Sequence, residues 1–150
     1  MTVLTDFWSN KPLVCAVISW TVAQAIKVLI SLWLDKKLDW HRCFGMGGMP
    51  SSHSAFVFSL MLSIGIQESL ASPLFALAFA LAGVVIYDAM GVRAETGKQG
   101  AVINEIVQNV LIEGKPITEK QLKELVGHTP LEVLAGVLVG TIVTLLMMLG

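Results

Sequence analysis

Four stretches of this sequence carry almost no charge over lengths comparable to a membrane crossing, and that narrows the folds open to it more than any other feature. A helix needs about 20 apolar residues to cross the hydrocarbon of a bilayer. Residues 12–34 meet that length with one charge, Lys27; residues 54–67, 70–87 and 133–149 carry none. The first stretch does not read as a cleavable signal peptide, because its apolar run is long and no basic region precedes it. Composition agrees. Hydrophobic residues make up 55% of the 150 and charged residues 14%, where soluble domains have about 25% charged. A mean hydropathy of +0.74 excludes a disordered chain. The net charge of −1 gives no basic field for a nucleic-acid partner. Cys15 and Cys43 form neither a disulfide framework nor a zinc-finger spacing. The expected fold is all-α and integral to the membrane, a single domain over 1–150 with about four transmembrane helices.

Lysine and arginine set the expected orientation. Lys36, Lys37 and Arg42 lie between the first two stretches, and Arg93, Lys98, Lys115, Lys120 and Lys123 between the last two. With four spans these two segments share one face, which is predicted to be cytoplasmic; the opposite face has only Lys11. Within the second segment, residues 101–112 place Val102, Ile103, Ile106, Val107, Val110 and Leu111 at helical spacing. This predicts an amphipathic helix at the cytoplasmic interface or packed on the bundle. Thr118 and Gln121 have the spacing of a capping box opening a short helix over 118–126.

The polar residues gather at the cytoplasmic ends of the spans. Gly47, Gly48, Pro50, Ser51, Ser52 and His53 enter the second. Asp88 and Arg93 follow the third, with Lys98 just beyond. Gly127, His128, Thr129, Pro130 and Glu132 enter the fourth. Glycine-rich backbone at a helix start offers N–H groups and the positive end of the helix dipole to an anion. Ser51 and Ser52 add hydroxyls, and Arg93 and Lys98 add charge. His53 and His128 offer a nucleophile and a general acid. Glu132 follows His128 by four residues, a spacing that on a helix stacks the two side chains and lets the carboxylate orient the imidazole.

Simpler roles exist for each. Ser51 or Ser52 serves as a helix cap, an interfacial histidine needs only a polar partner, Asp88 pairs with Arg93, and Lys98 is a solvated charge. Lys27 is expensive within a span, about 2.5–3.5 kcal/mol at the centre. It either snorkels to the interface or pairs with the polar site. His41 and the four tryptophans read as interfacial or packing residues.

The runs GGMPSSHSAFV, YDAMGVR and GHTPLEVLAG resemble the divergent PAP2 family, relatives of the type 2 phosphatidic acid phosphatases and vanadium haloperoxidases. The resemblance covers residues 15–145. It implies a PAP2-like helical bundle and a phosphatase that works through a phosphohistidine. Pro50-Ser51-Ser52-His53 is similar to the motif whose histidine acts as acid for the leaving group, with Ser52 where that motif has glycine. His128 and Glu132 are similar to the motif carrying the nucleophilic histidine and a carboxylate four residues on, with Glu for Asp. Leu122 stands where that motif has arginine six residues before the histidine, and the lysine-arginine motif is absent in its usual form.

The expectation is therefore a lipid phosphate or diphosphate phosphatase needing no cofactor and no metal. His128, His53 and Glu132 would be catalytic, and Ser51, Ser52, Arg93, Lys98 and Lys27 would bind phosphate. Asp88, Gly48 and Gly127 would support them. The expected location is a bacterial-type inner (plasma) membrane, with the site toward the cytoplasm and the bilayer supplying the substrate. Two alternatives use the same residues: a metal-binding membrane protein built on His53, Asp88, His128 and Glu132, and a non-catalytic anion-binding subunit. Gly136-x-x-x-Gly140 fits a small-residue helix contact, either across a homodimer or within one chain.

Overall fold

The computed structural model describes residues 3–35, 48–91, 99–100, 103 and 129–150. Its principal helices are α1 (Val3–Ser9), α2 (Lys11–Asp35), α3 (Ser52–Glu68), α4 (Pro73–Met90) and α5 (Pro130–Leu149). There is no strand among the described residues.

Short polar side chains set where the helices start. Asn10 accepts the Leu13 N–H at 3.2 Å before α2. Ser51 caps α3, Ser72 caps α4 with Pro73 in its first turn, and Thr129 caps α5 with Pro130 next. Each cap satisfies an N–H that the helix itself leaves unpaired, and proline is tolerated there because its missing N–H has no intrahelical partner. Gly91 ends α4 by donating its N–H to the Tyr87 carbonyl at 2.8 Å.

α2, α4 and α5 contain segments long and apolar enough to cross a membrane: Lys11–Trp33, Pro73–Met90 and Pro130–Leu149. The expected second span corresponds to α3, whose 17 residues extend about 25 Å at 1.5 Å per residue. It falls short of the roughly 30 Å hydrocarbon thickness. Yet α3 is the centre of the assembly, packing on α2, α4 and α5. It runs parallel to α5. Gly136 meets Ser51 and Ser54, Gly140 meets Ala55 and Ser59, and Thr144 meets Ser59 through a 2.7 Å hydroxyl pair, so both chains advance together. The expected helices over 101–112 and 118–126 fall almost wholly outside the described residues.

The core consists of small side chains. Among the described residues Thr144 is the bulkiest that is fully buried, followed by Cys15, Ser19, Ser51, Ser54, Ser59 and Ser63. Along α2 the buried positions Cys15, Ser19, Ala23, Lys27 and Ser31 recur every four residues, which is one helix face. The large apolar groups point outward: Trp33, Leu77, Val84, Leu138 and Leu146 are all exposed. A soluble domain buries such groups. In lipid the outward face gains nothing by burial, so helices associate through small residues and close backbone approach. Gly136 and Gly140 serve this purpose inside the chain. A Cβ on Gly140 would stand 2.7 Å from the Ala55 carbonyl oxygen, and one on Gly136 would overlap the Ser51 carbonyl oxygen.

Candidate functional site

The starts of α3 and α5 lie side by side. The Ser51 N–H donates to the Glu132 carbonyl oxygen at 2.9 Å, tying the chain entering α3 to the first turn of α5. Ser51 Oγ in turn accepts from the Ser54 N–H at 3.3 Å and from the Ser54 hydroxyl at 3.0 Å. Gly136 makes the approach feasible, since it packs on the Ser51 backbone without a side chain. Two helix N-termini, each with partial positive charge, therefore face the same side of the bundle at one level. Ser51, Ser52 and Ser54 are buried there.

Lys27 completes the cluster. It is 6% exposed, and Gly48 lies across its aliphatic stem: a Cβ on Gly48 would sit 3.7 Å from Lys27 Cγ and 3.8 Å from Cδ. Gly48 has φ +83°, a left-handed conformation open to glycine; a Cβ there would meet the lysine stem at ordinary contact distance. Gly48 stands three residues before the Ser51 cap, so the Lys27 stem beneath it lies beside the start of α3.

Glu132 differs from expectation. His128 and Glu132 were expected one turn apart on a common helix. The helix instead begins at Pro130, with Thr129 as cap, so His128 precedes it. Glu132 occupies the third helical position and closes a capping box: its Oε2 accepts the Thr129 N–H at 3.2 Å, while Thr129 Oγ1 accepts the Glu132 N–H at 3.3 Å. The sequence signal is Thr129-x-x-Glu132 ahead of an apolar run, with proline at the first helical position.

Lys27, Gly48, Ser51, Ser52 and Glu132 thus come together. His53 is exposed in the first turn of α3 and lines a cavity of about 330 Å³ with Val17, Trp20, Phe56, Val57 and Val85. Asp88 is exposed in the last turn of α4. Arg93, Lys98, Gly127 and His128 lie outside the described residues. Sequence reasoning took Gly136 only as a helix contact and missed it as part of the site, although its spacing of four from Glu132 on the same helix was available. Among the described residues no three His, Cys, Asp or Glu side chains stand close enough to hold a metal ion. His128, one member of the metal-binding alternative, is not among those residues.

Chemically, the described cluster brings together a buried lysine, two helix starts and hydroxyls held in a small-residue seam, groups of the kind that can receive an anion.

Comparison with known proteins follows the same lines. The profile of the Divergent PAP2 family matches residues 8–143. The chain is 39% identical over 152 residues to the uncharacterized membrane protein YuiD of Bacillus subtilis (strain 168), covering 95% of this chain and 96% of that one. No solved structure matches.

Proposed function

Because this chain belongs to the divergent PAP2 family, we propose that it is a membrane phosphatase for a lipid phosphate or diphosphate. The observation that carries the proposal is Lys27. A lysine in a helix long and apolar enough to span a membrane, buried beneath Gly48 beside the start of α3, carries a cost that a ligand-binding role explains. The side where α3 and α5 begin suits a phosphoryl group, since it combines amide dipoles with an ammonium.

In the proposed reaction an imidazole nitrogen of His128 attacks phosphorus as the bond to the lipid oxygen breaks. His53 gives its proton to that leaving oxygen, releasing the lipid alcohol. Water then attacks the phosphohistidine, the P–N bond breaks, inorganic phosphate leaves, and the water proton returns to His53. Lys27, Arg93 and Lys98, together with Ser51 and Ser52, hold the non-bridging oxygens and stabilise the charge that spreads over them. Glu132 holds the start of α5 through its capping box, and Gly48, Gly127 and Asp88 support the phosphate-binding groups. α3 crosses the bilayer as a fourth, short span, and the site faces the cytoplasm of a bacterial-type inner membrane, the side rich in lysine and arginine.

The test is phosphate release by detergent-purified protein from a panel of lipid phosphates and diphosphates, with His128→Ala in parallel. Release that disappears in a variant eluting as a single symmetric peak is the expected result. Release unchanged in His128→Ala removes the mechanism. Absence of release from every lipid by well-folded protein, with vanadate still bound, would assign the cluster to anion binding alone.

A further inference from the structure

α2 and α4 both pack on α3, but they do not pack on each other. The gap between them is the cavity of about 330 Å³ whose floor is His53, Phe56 and Val57 of α3, with Val17 and Trp20 on one wall and Val85 on the other. We propose that this cleft is the seat of one hydrocarbon chain of an anionic lipid, held with its head group toward His53 and Lys27; the inference rests on the phosphatase reading only in its choice of head group.

Three features select that occupant. First, the cleft opens in the lipid-facing belt. Val17 and Trp20 are themselves partly exposed, and Leu81, Val84 and Tyr87 surround the α4 side with exposed apolar surface. An opening at that depth meets acyl chains rather than water. Second, the size is that of a chain segment. At about 30 Å³ per water-sized group the space holds roughly ten such groups, which suits a run of methylenes. Third, the cleft has a polar end. His53 is its one ionisable lining residue and lies in the same turn as the Ser51 cap. On α2, Lys27 follows Trp20 by seven residues, about 10 Å along the axis. A chain lying past Trp20 therefore directs its head toward the buried ammonium and the paired helix starts, and an anionic head is the complement of that charge. A neutral lipid gains the apolar contact but not the ionic one.

Trp20 makes the cleft observable. The protein would be prepared with Trp8→Phe, Trp33→Phe and Trp40→Phe, leaving one indole, and with His128→Ala so that added lipid stays intact. It would be reconstituted in bilayers of unlabelled phosphatidylcholine. A minor fraction of phosphatidic acid with brominated chains would then be added, and in a second sample the same fraction of phosphatidylcholine bearing identical brominated chains. The expected result is about twofold greater quenching of Trp20 by the brominated phosphatidic acid, since preferential occupancy raises the bound population of that lipid above its share of the bilayer. Val85→Phe and, separately, Val17→Phe should abolish the surplus by filling the cleft, in protein that elutes as the parent does.

Equal quenching by the two lipids overturns the proposal. So does a surplus that survives both filling variants. Weak quenching by either lipid, together with a doubled particle mass, would show the cleft filled by a second copy of the chain, which also overturns it. Turnover is scored separately in protein that keeps His128. A quenching surplus without turnover upholds the chain seat while the phosphatase reading falls. Turnover without a surplus does the reverse.

Discussion

Replacing Gly140 by alanine tests the idea that this bundle is held by backbone proximity. In a helix exchanging glycine for alanine is favourable by up to about 1 kcal/mol on propensity alone. At Gly140 the added Cβ would lie 2.7 Å from the Ala55 carbonyl oxygen and 3.3 Å from both Ala55 Cα and the Ser59 nitrogen. All three are backbone atoms, so no rotamer change relieves the overlap. Ordinary contact begins at 3.4 Å, so α3 and α5 must part by about 0.7 Å. Overpacking of this kind costs about 1–3 kcal/mol. The net loss expected for Gly140→Ala is about 1–2 kcal/mol, which corresponds to a fall in melting temperature of several degrees for a chain of this size. Gly136→Ala should cost more, because its Cβ meets the Ser51 carbonyl oxygen and strains the junction to Glu132. Gly83→Ala is the control: nothing stands within 4 Å of a Cβ there, and its stability should be unchanged or slightly raised. The assay is a thermal melt in detergent, with particle mass measured alongside. Equal melting temperatures for all three variants would refute the packing argument. A lower mass for Gly136→Ala or Gly140→Ala would show that these glycines join two chains.

Two further outcomes follow from the hydrogen bonds. Thr129→Ala should destabilise the protein by about 1 kcal/mol through loss of the α5 cap; the same thermal melts check it. Ser59→Ala and Thr144→Val should each weaken the bundle, and a double-mutant cycle should return a coupling of about 0.6 kcal/mol, the average for hydrogen bonds between membrane helices; a coupling of zero would mean the 2.7 Å pair adds nothing.

Much of the helix plan was legible because charge is so expensive in lipid. The expected spans 12–34, 54–67, 70–87 and 133–149 overlap α2, α3, α4 and α5 closely. Where they differ, a cap had more authority than the edge of an apolar run: Ser72-Pro73 starts α4 and Thr129-Pro130 starts α5. The short α1 was not foreseen, since seven residues carry too little periodicity to stand out. The interior was harder to read. Apolar residues surround these helices on all sides, so the usual amphipathic signal fades. Depth is marked instead by small residues four apart, such as Cys15, Ser19 and Ala23. For the site, the Gly-Pro-Ser run and Lys27 announced themselves. That Gly48 covers Lys27, and that Glu132 serves as a cap rather than stacking from within a helix shared with His128, depends on which helix starts meet in space.

The position of α3 has a consequence for how the chain is made. It touches all three described helices that are long and apolar enough to cross a membrane, yet it is shorter than any of them and carries serines on the faces it buries. Ser63 is self-sufficient, donating to the Ser59 carbonyl at 2.7 Å, but the Ser59 hydroxyl and the Ser51 N–H find their partners on α5, synthesised more than eighty residues later. Until then those groups face hydrocarbon or a helper that stands in for α5. Chain order alone would let α2 give α3 its first seat and leave the last helix to complete it. A chain halted before residue 130 would present an unfinished serine seam to the membrane, the kind of surface by which a quality-control protease can tell an incomplete product from a finished one.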